Sequence, residues 1–359
     1  MILSISLALL VAGTLLVALN KTDLPEIPIY LASGVILSAL TGLATSLNIV
    51  SHSFVEVGIM RELALLGLSI LIFYRTSGFL IDPNRETALD SFKASIFIST
   101  VLFSGVTGIS LYLNFPVFES LIFGATSAIG STLLDSGLVR KEARKSHIYG
   151  WLTEDMNFFD DVLGLIIFTV IISAFTGLST FAALTACLAV IFTSLILRKG
   201  FSKAILKITG GENELVLLSG IATLISLISI TEFAGITELA GVYAAGLLLV
   251  NTELGFRVRE RFTSVKDFFT ALSFIAVGYI LSIPSPVYLL AATLLFLSVM
   301  VVRPVFITQV LRLQGFDLRS SFMAGLQSSQ LSEIAVVGAL LLMPVTSGEL
   351  LSAVVLSFT

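Results

Sequence analysis

The chain has 359 residues, 56% of them hydrophobic and only 12% charged, with a mean hydropathy of +1.03. An average soluble domain carries roughly 25% charged residues, so a water-soluble globule is excluded. A net charge of −4 argues against a nucleic-acid partner, and one cysteine, Cys187, inside an apolar run, leaves neither a disulfide nor a cysteine metal site. His52 and His147 fall in loops or at their edges, so a histidine-ligated metal is not expected either.

A bilayer core about 30 Å thick takes about 20 apolar helical residues per crossing. Cut at polar clusters, the apolar runs fall at 2–19, 27–47, 59–81, 92–113, 117–136, 148–175, 178–197, 213–230, 234–252, 264–282, 286–311, 319–343 and 347–359. The first follows Met1 with no basic residue before it and reads as a retained helix, since a cleavable leader carries a basic start. The thirteenth stops at Thr359 in mid-run, as in a truncated chain or an unfinished helix. The expected fold is an all-α polytopic membrane protein of about 13 transmembrane helices, with no soluble regulatory domain.

Basic residues set the orientation. Lys21; Arg75, Arg85 and Lys93; Arg140, Lys141, Arg144 and Lys145; Arg198, Lys199, Lys203 and Lys207; Arg257, Arg259, Arg261 and Lys266; and Arg312 and Arg319 all lie in the connections after odd-numbered runs or at their margins. That is every one of the 20 basic residues except Arg61 and Arg303. By the positive-inside rule these connections face the cytoplasm, which puts the N-terminus outside and the C-terminus inside. Arg303 sits well inside the eleventh run, where an isolated cation costs roughly 2.5–3.5 kcal/mol to insert; it therefore needs a partner, either in a structural ion pair or along an ion pathway.

The sixth run carries Trp151-Leu-Thr-Glu-Asp-Met-Asn-Phe-Phe-Asp160-Asp161-Val-Leu-Gly-Leu. Consecutive helical residues point about 100° apart, so Asp160 and Asp161 address different neighbours. Glu154, Asn157 and Asp161 form one stripe, suited to a water-filled funnel; Glu154 and Asp155 equally suit the headgroup level at a helix end. The fifth run holds Gly124-Ala-Thr126-Ser127-Ala-Ile-Gly130-Ser-Thr132, and the twelfth Gly325-Leu-Gln-Ser-Ser-Gln-Leu-Ser332-Glu333. Such Gly/Ser-rich stretches can unwind where they line a cavity and offer carbonyls and hydroxyls to a cation, or serve close helix packing. Each is second of three in runs 4–6 and 11–13; the offset of seven runs makes the two units inverted repeats with paired broken helices. Glu333, at a break, is expected to satisfy freed N–H groups or balance a helix dipole.

Phe159-Asp160-Asp161-Val-Leu-Gly-Leu-Ile is similar to the paired-aspartate helix of monovalent cation:proton antiporters, in the branch with the Nha, Nap and Kef transporters. Gly124-Ala-Thr-Ser-Ala-Ile-Gly resembles that family's first unwound helix, Ser329-Gln-Leu-Ser-Glu333 its second, and Glu238-Leu-Ala-Gly-Val-Tyr-Ala-Ala-Gly-Leu and Phe274-Ile-Ala-Val-Gly two later segments. The resemblance implies a transport core (approximately 92–175 and 286–359), a dimerisation scaffold (approximately 1–81 and 178–282), elevator-like alternating access and a homodimer in the cell membrane. It implies Asp161 as the shared carrier of a monovalent cation and the proton, with Asp160, Asn157, Thr126 and Ser127 around it and Arg303 as charge partner. No cofactor is implied beyond the transported Na⁺ or K⁺ and H⁺. Three features depart from the pattern: arginine, not lysine, stands at 303; no nucleotide-sensing domain of the Kef type is expected in these 359 residues; and Phe73-Tyr74-Arg75-Thr76 lacks the acidic ending expected of the third run.

Antiport of Na⁺, with K⁺ or Li⁺ as alternatives, is the expected function. The alternatives are a sodium-coupled solute symporter on the same scaffold, a Kef-type K⁺ efflux system and a gated channel. An intramembrane aspartyl protease needs carboxylates converging from two helices to share a proton; the central pair here is adjacent on one helix, so no enzyme is expected.

Overall fold

The computed structural model describes residues 26–47, 56–79, 86–131 and 147–358, and the helical residues Ser6, Leu10, Val11, Gly13 and Thr14. Most of the first apolar run lies outside the described residues, as do Lys21, Arg85, the basic group 140–145, His52, Thr132 and Thr359.

Inside a bilayer every backbone N–H and C=O must be satisfied within the protein, so long apolar runs fold as helices. From Glu26 onward the described residues form α1 (Glu26–Ser46), α2 (Val57–Thr76), α3 (Glu86–Tyr112), α4 (Val117–Ala128), α5 (His147–Thr176), α6 (Thr180–Thr209) and α7 (Asn213–Phe233). They continue with α8 (Glu238–Leu249), α9 (Glu253–Ile280), α10 (Pro286–Leu313), α11 (Leu318–Gln327), α12 (Glu333–Leu342) and α13 (Gly348–Phe358). Among these, α1, α2, α3, α5, α6, α7 and α10 are long and apolar enough to cross a bilayer, and the chain is a multi-pass membrane protein.

Two stretches expected as cytoplasmic loop, 198–209 and 253–263, are helical. The helix α6 continues past Arg198 until Gly210 ends it in the left-handed conformation, at φ +61°. The Thr252 hydroxyl accepts from the Gly255 N–H at 3.0 Å and starts α9 there, and Arg257 pairs with Glu253 one turn away at 2.7 Å. Their charge density resembles a loop, but caps and i,i+4 pairs make helices of them.

The ninth run is another departure. Its helix α8 has 12 residues, too short at 1.5 Å per residue to span the hydrocarbon alone, and bends 116° into α9. All of it after Glu238 is buried, because α2, α6 and α7 surround it. Protein, not lipid, is its solvent.

The fifth and twelfth runs are both broken, as their composition foretells. At the breaks the chain is extended, and Gly130–Ser131 pairs antiparallel with Gln330–Leu331, Gly130 opposite Leu331 and Ser131 opposite Gln330. The backbone groups freed by the two breaks thus satisfy each other where the segments cross. A side chain at Gly130 would stand 2.3 Å from the Ser328 carbonyl and 2.7 Å from Arg303 Nη2, so only glycine lets the crossing close.

Helix contacts fall into two sets. In one, α3 packs on α4 and α5, and α10 on α3, α11 and α13. In the other, α9 packs along α1 and α2, and α8 lies against α6, α7 and α2. They meet where α12 lies on α2 and α5 on α6.

Candidate functional site

At the crossing, α4 and α11 both end, so two sets of orphan carbonyls and two negative helix poles converge. A single side chain meets them. Arg303 Nε donates to Ser328 O at 3.0 Å, and Nη1 to Ser127 O and Ala128 O at 3.2 and 3.0 Å. Its Nη2 donates to Asp160 Oδ2 at 2.5 Å, and both residues are 0% exposed. The local backbone of α10 aims it there: a π-turn over Ser298–Val302 lets the Arg303 N–H reach Ser298 O, and Pro304 follows with no N–H of its own.

Asp161 faces elsewhere. Its oxygens take Arg75 Nη2 at 3.1–3.2 Å, and Arg75 Nη1 donates to Glu333 Oε2 at 2.7 Å. Asp161 and Glu333 are buried, while the Arg75 side chain keeps 14% of its surface. Glu333 opens α12 at its positive pole, as expected, after Ser332 caps the helix by accepting from Ile334 N at 3.2 Å. It also forms the ion pair with Arg75. Arg75, read as a basic residue at the cytoplasmic margin of the third run, stands in the last turn of α2 and points inward, its guanidinium 5.9 Å from the Phe79 ring. The one sequence signal was the missing acidic ending of the third run.

The other candidates lie on α4 and α5. Thr126 and Ser127 are both 0% exposed on the last turn of α4, and Asn157 is buried one turn before Asp161. Ser127 spends its hydroxyl on Gly124 O (2.8 Å) and Leu102 O (3.2 Å), which ties α4 to α3. By contrast Thr126 Oγ1, Asn157 Oδ1 and Asp160 Oδ1 are buried with no hydrogen-bond partner among the described residues. Such oxygens are the donor type a hard monovalent cation takes. Among the described residues no cluster of His, Cys, Asp and Glu could hold a metal ion by itself.

A cavity of about 310 Å³ opens beside the Arg75 end of the site, lined by Ser77, Gly78, Phe79, Glu154, Asn251, Thr252, Phe256 and Arg259. Glu154 is the outer member of the stripe that runs through Asn157 to Asp161. Phe79 and Phe158 meet edge to face, ring centroids 5.7 Å apart, next to the arginine.

Residues 5–358 match the family model described as sodium/hydrogen exchanger, transmembrane. A protein of Alkalimonas amylolytica carrying the name K(+) efflux antiporter KefB is 23% identical over 321 residues, 86% of this chain and 46% of its own. K(+) efflux antiporter 4 of Arabidopsis thaliana is 26% identical over 141 residues, 38% of this chain and 23% of its own. The chain thus spans less than half the length of these curated relatives. The solved structure of the sodium proton antiporter MjNhaP1 from Methanocaldococcus jannaschii at pH 8 shares the fold, with a TM-score of 0.69 at 17% identity, over 99% of this chain and 93% of that one. The chain belongs to the transmembrane sodium/hydrogen exchanger family.

Proposed function

We propose that this chain exchanges one monovalent cation for one proton across the membrane, with Asp161 as the group that holds either. The observation that carries this reading is the charge count at the site. Asp160, Asp161 and Glu333 supply three carboxylates; Arg303 and Arg75 supply two guanidiniums, which stay protonated at any working pH. One negative charge is left uncompensated in a buried place, and one proton or one monovalent cation cancels it. Two ligands that relieve the same deficit compete, and competition for one site is the basis of exchange. Because Asp160 is fully enclosed with Arg303, the titrating aspartate is Asp161, and the cycle carries no net charge. The electrogenic alternative, in which Asp160 also takes up a proton each turnover, requires the Arg303 pair to open.

Around this chemistry, α3, α4, α5, α10, α11, α12 and α13 form the moving core, and α1, α2 and α6–α9 the scaffold through which two copies pair. The N-terminus lies outside and the C-terminus in the cytoplasm; cysteines at Tyr112 and Leu313, after Cys187→Ser, should then label from opposite faces. Na⁺ is the first cation to test, as the family description and the structural neighbour name sodium. The K(+) efflux names of the two curated relatives favour K⁺ as the second reading.

The test is proteoliposomes with an internal pH dye, into which NaCl, LiCl and KCl are added in turn. Proton movement that saturates with one of these cations supports exchange. Its persistence at a clamped potential, with no current, supports the one-for-one count; cation flux without proton movement would overturn the reading.

A further inference from the structure

We propose that Arg75 is a tethered competitor of the transported cation: it occupies the Asp161–Glu333 carboxylates when no ion is bound and, by doing so, ties the core to the scaffold. The proposal rests on the antiport reading and adds a regulatory part to the same site. Its basis is where the two guanidiniums come from. Arg303 belongs to α10, in the same packing set as Asp160, and each of its polar contacts stays within that set. Arg75 belongs to α2, in the other set, and reaches across to α5 and α12. A second arginine of α2 does the same at the opposite end of α12, where Arg61 Nε donates to Leu340 O at 3.1 Å. The half-helix α12 is therefore held at both ends by one scaffold helix, and one of those two holds is made of the carboxylates that a cation would use.

The physical consequence is a linkage. An arriving cation satisfies Asp161 and removes its attraction for Arg75, whose guanidinium then keeps Glu333 as its one carboxylate partner. The core is then loosened from α2 only when an ion is aboard, which couples occupancy to movement. A site filled by its own cation for most of the time also shows the external ion a weakened affinity, in proportion to the fraction of time it is free.

The experiment is the cation dependence of proton movement in proteoliposomes for wild type, Arg75→Gln and Arg75→Lys, each titrated with NaCl, LiCl and KCl. Arg75→Gln should lower the half-saturating concentration of the transported cation by roughly tenfold, the inverse of a free fraction near one in ten. Arg75→Lys, which retains a tethered charge, should return most of that shift. Should the single variant fail to fold because Glu333 is stranded, Arg75→Gln/Glu333→Gln removes both charges and should show the same direction. On the unaltered chain, saturating cation should increase deuterium uptake at amides 334–340 of α12, as the tie is released. A half-saturating concentration unchanged or raised in Arg75→Gln, or uptake at 334–340 unchanged or slowed by the cation, overturns the proposal while wild-type exchange stands. A wild-type chain that moves no protons with any of the three salts overturns the antiport reading itself.

Discussion

Asp160 and Asp161 are chain neighbours, each ion-paired to an arginine, and the two pairs are built to opposite ends. Asp160–Arg303 has no solvent exposure on either side, and the guanidinium is also bonded to three carbonyls at the ends of two half-helices. Asp161–Arg75 is longer, at 3.1 Å against 2.5 Å, lies between the two packing sets, and leaves the arginine partly wet. A fixed acceptor at each guanidinium nitrogen makes the first pair a joint. The second pair lies at a seam between the two packing sets and is the one proposed above to exchange. A step of about 100° along one helix is enough to give identical side chains these different fates.

The largest expected effect falls on the exchangeable side. Asp161→Asn preserves size and hydrogen bonding but cannot titrate or hold a charge, so cation-driven proton movement should fall to that of protein-free liposomes while the variant still purifies folded. Exchange near the wild-type rate would remove Asp161 from its role. Arg303→Ala tests the joint: it strands Asp160 and two sets of helix-end carbonyls, and thermal unfolding in detergent should show a loss of about 3–5 kcal/mol. Asp160→Asn/Arg303→Met should lose less than Arg303→Ala alone, since no buried charge is left behind. Thermal stability of Arg303→Ala equal to wild type would mean that this pair holds nothing.

A subtler probe leaves both pairs intact. Gly130→Ala inserts one methyl between the Ser328 carbonyl and Arg303 Nη2, where the approach leaves no room. Backbone on one side and a guanidinium with an acceptor at each nitrogen on the other cannot yield cheaply, so a loss of about 1–3 kcal/mol is expected. Gly177, with nothing near its added carbon but φ at +72°, serves as the contrast: there the penalty is conformational strain on a surface turn, of order 1 kcal/mol, with transport unchanged. A Gly130→Ala variant as stable as wild type would show that the crossing has slack.

The same contrast explains what the sequence could and could not disclose. Arg303 and the aspartate pair stood out because charge in the middle of an apolar run is costly and therefore purposeful. The two breaks were visible as Gly/Ser-rich stretches. Arg75 was hidden by its position: a basic residue at the end of an apolar run is the ordinary pattern of a helix reaching the interface. Only the packing of α2 against α12, formed by segments more than 250 residues apart (Arg75 and Glu333 are separated by 258), turns it inward. The short helix α8 was misjudged in length for a related reason, since hydropathy measures what lipid requires and α8 is solvated by protein. The helical stretches at 198–209 and 253–263 were lost because dense charge looks alike in loops and in capped amphipathic turns.

The smallest effect sharpens the comparison by turning to a carboxylate held by a helix N-terminus. Asp317 caps α11, the half-helix whose far end Arg303 holds; its side chain accepts from the Ser320 N–H at 2.9 Å. The hydrogen bonds from Ser320 hold the Asp317 carboxyl below the ordinary carboxylate range. A depressed folded value means stability that is present above the unfolded value, about 3.9, and lost as pH falls through the folded one. Asp317→Ala should cost about 1 kcal/mol at neutral pH, the usual worth of an N-cap, and Asp317→Asn only a fraction of that because the amide oxygen still accepts. The gap between wild type and Asp317→Asn should then close on acidification below about pH 4, whereas the gap between Asp317→Asn and Asp317→Ala should persist, being a neutral hydrogen bond. A gap between wild type and Asp317→Asn that does not narrow with acid would show that the charge contributes nothing and that the cap works by hydrogen-bond geometry alone.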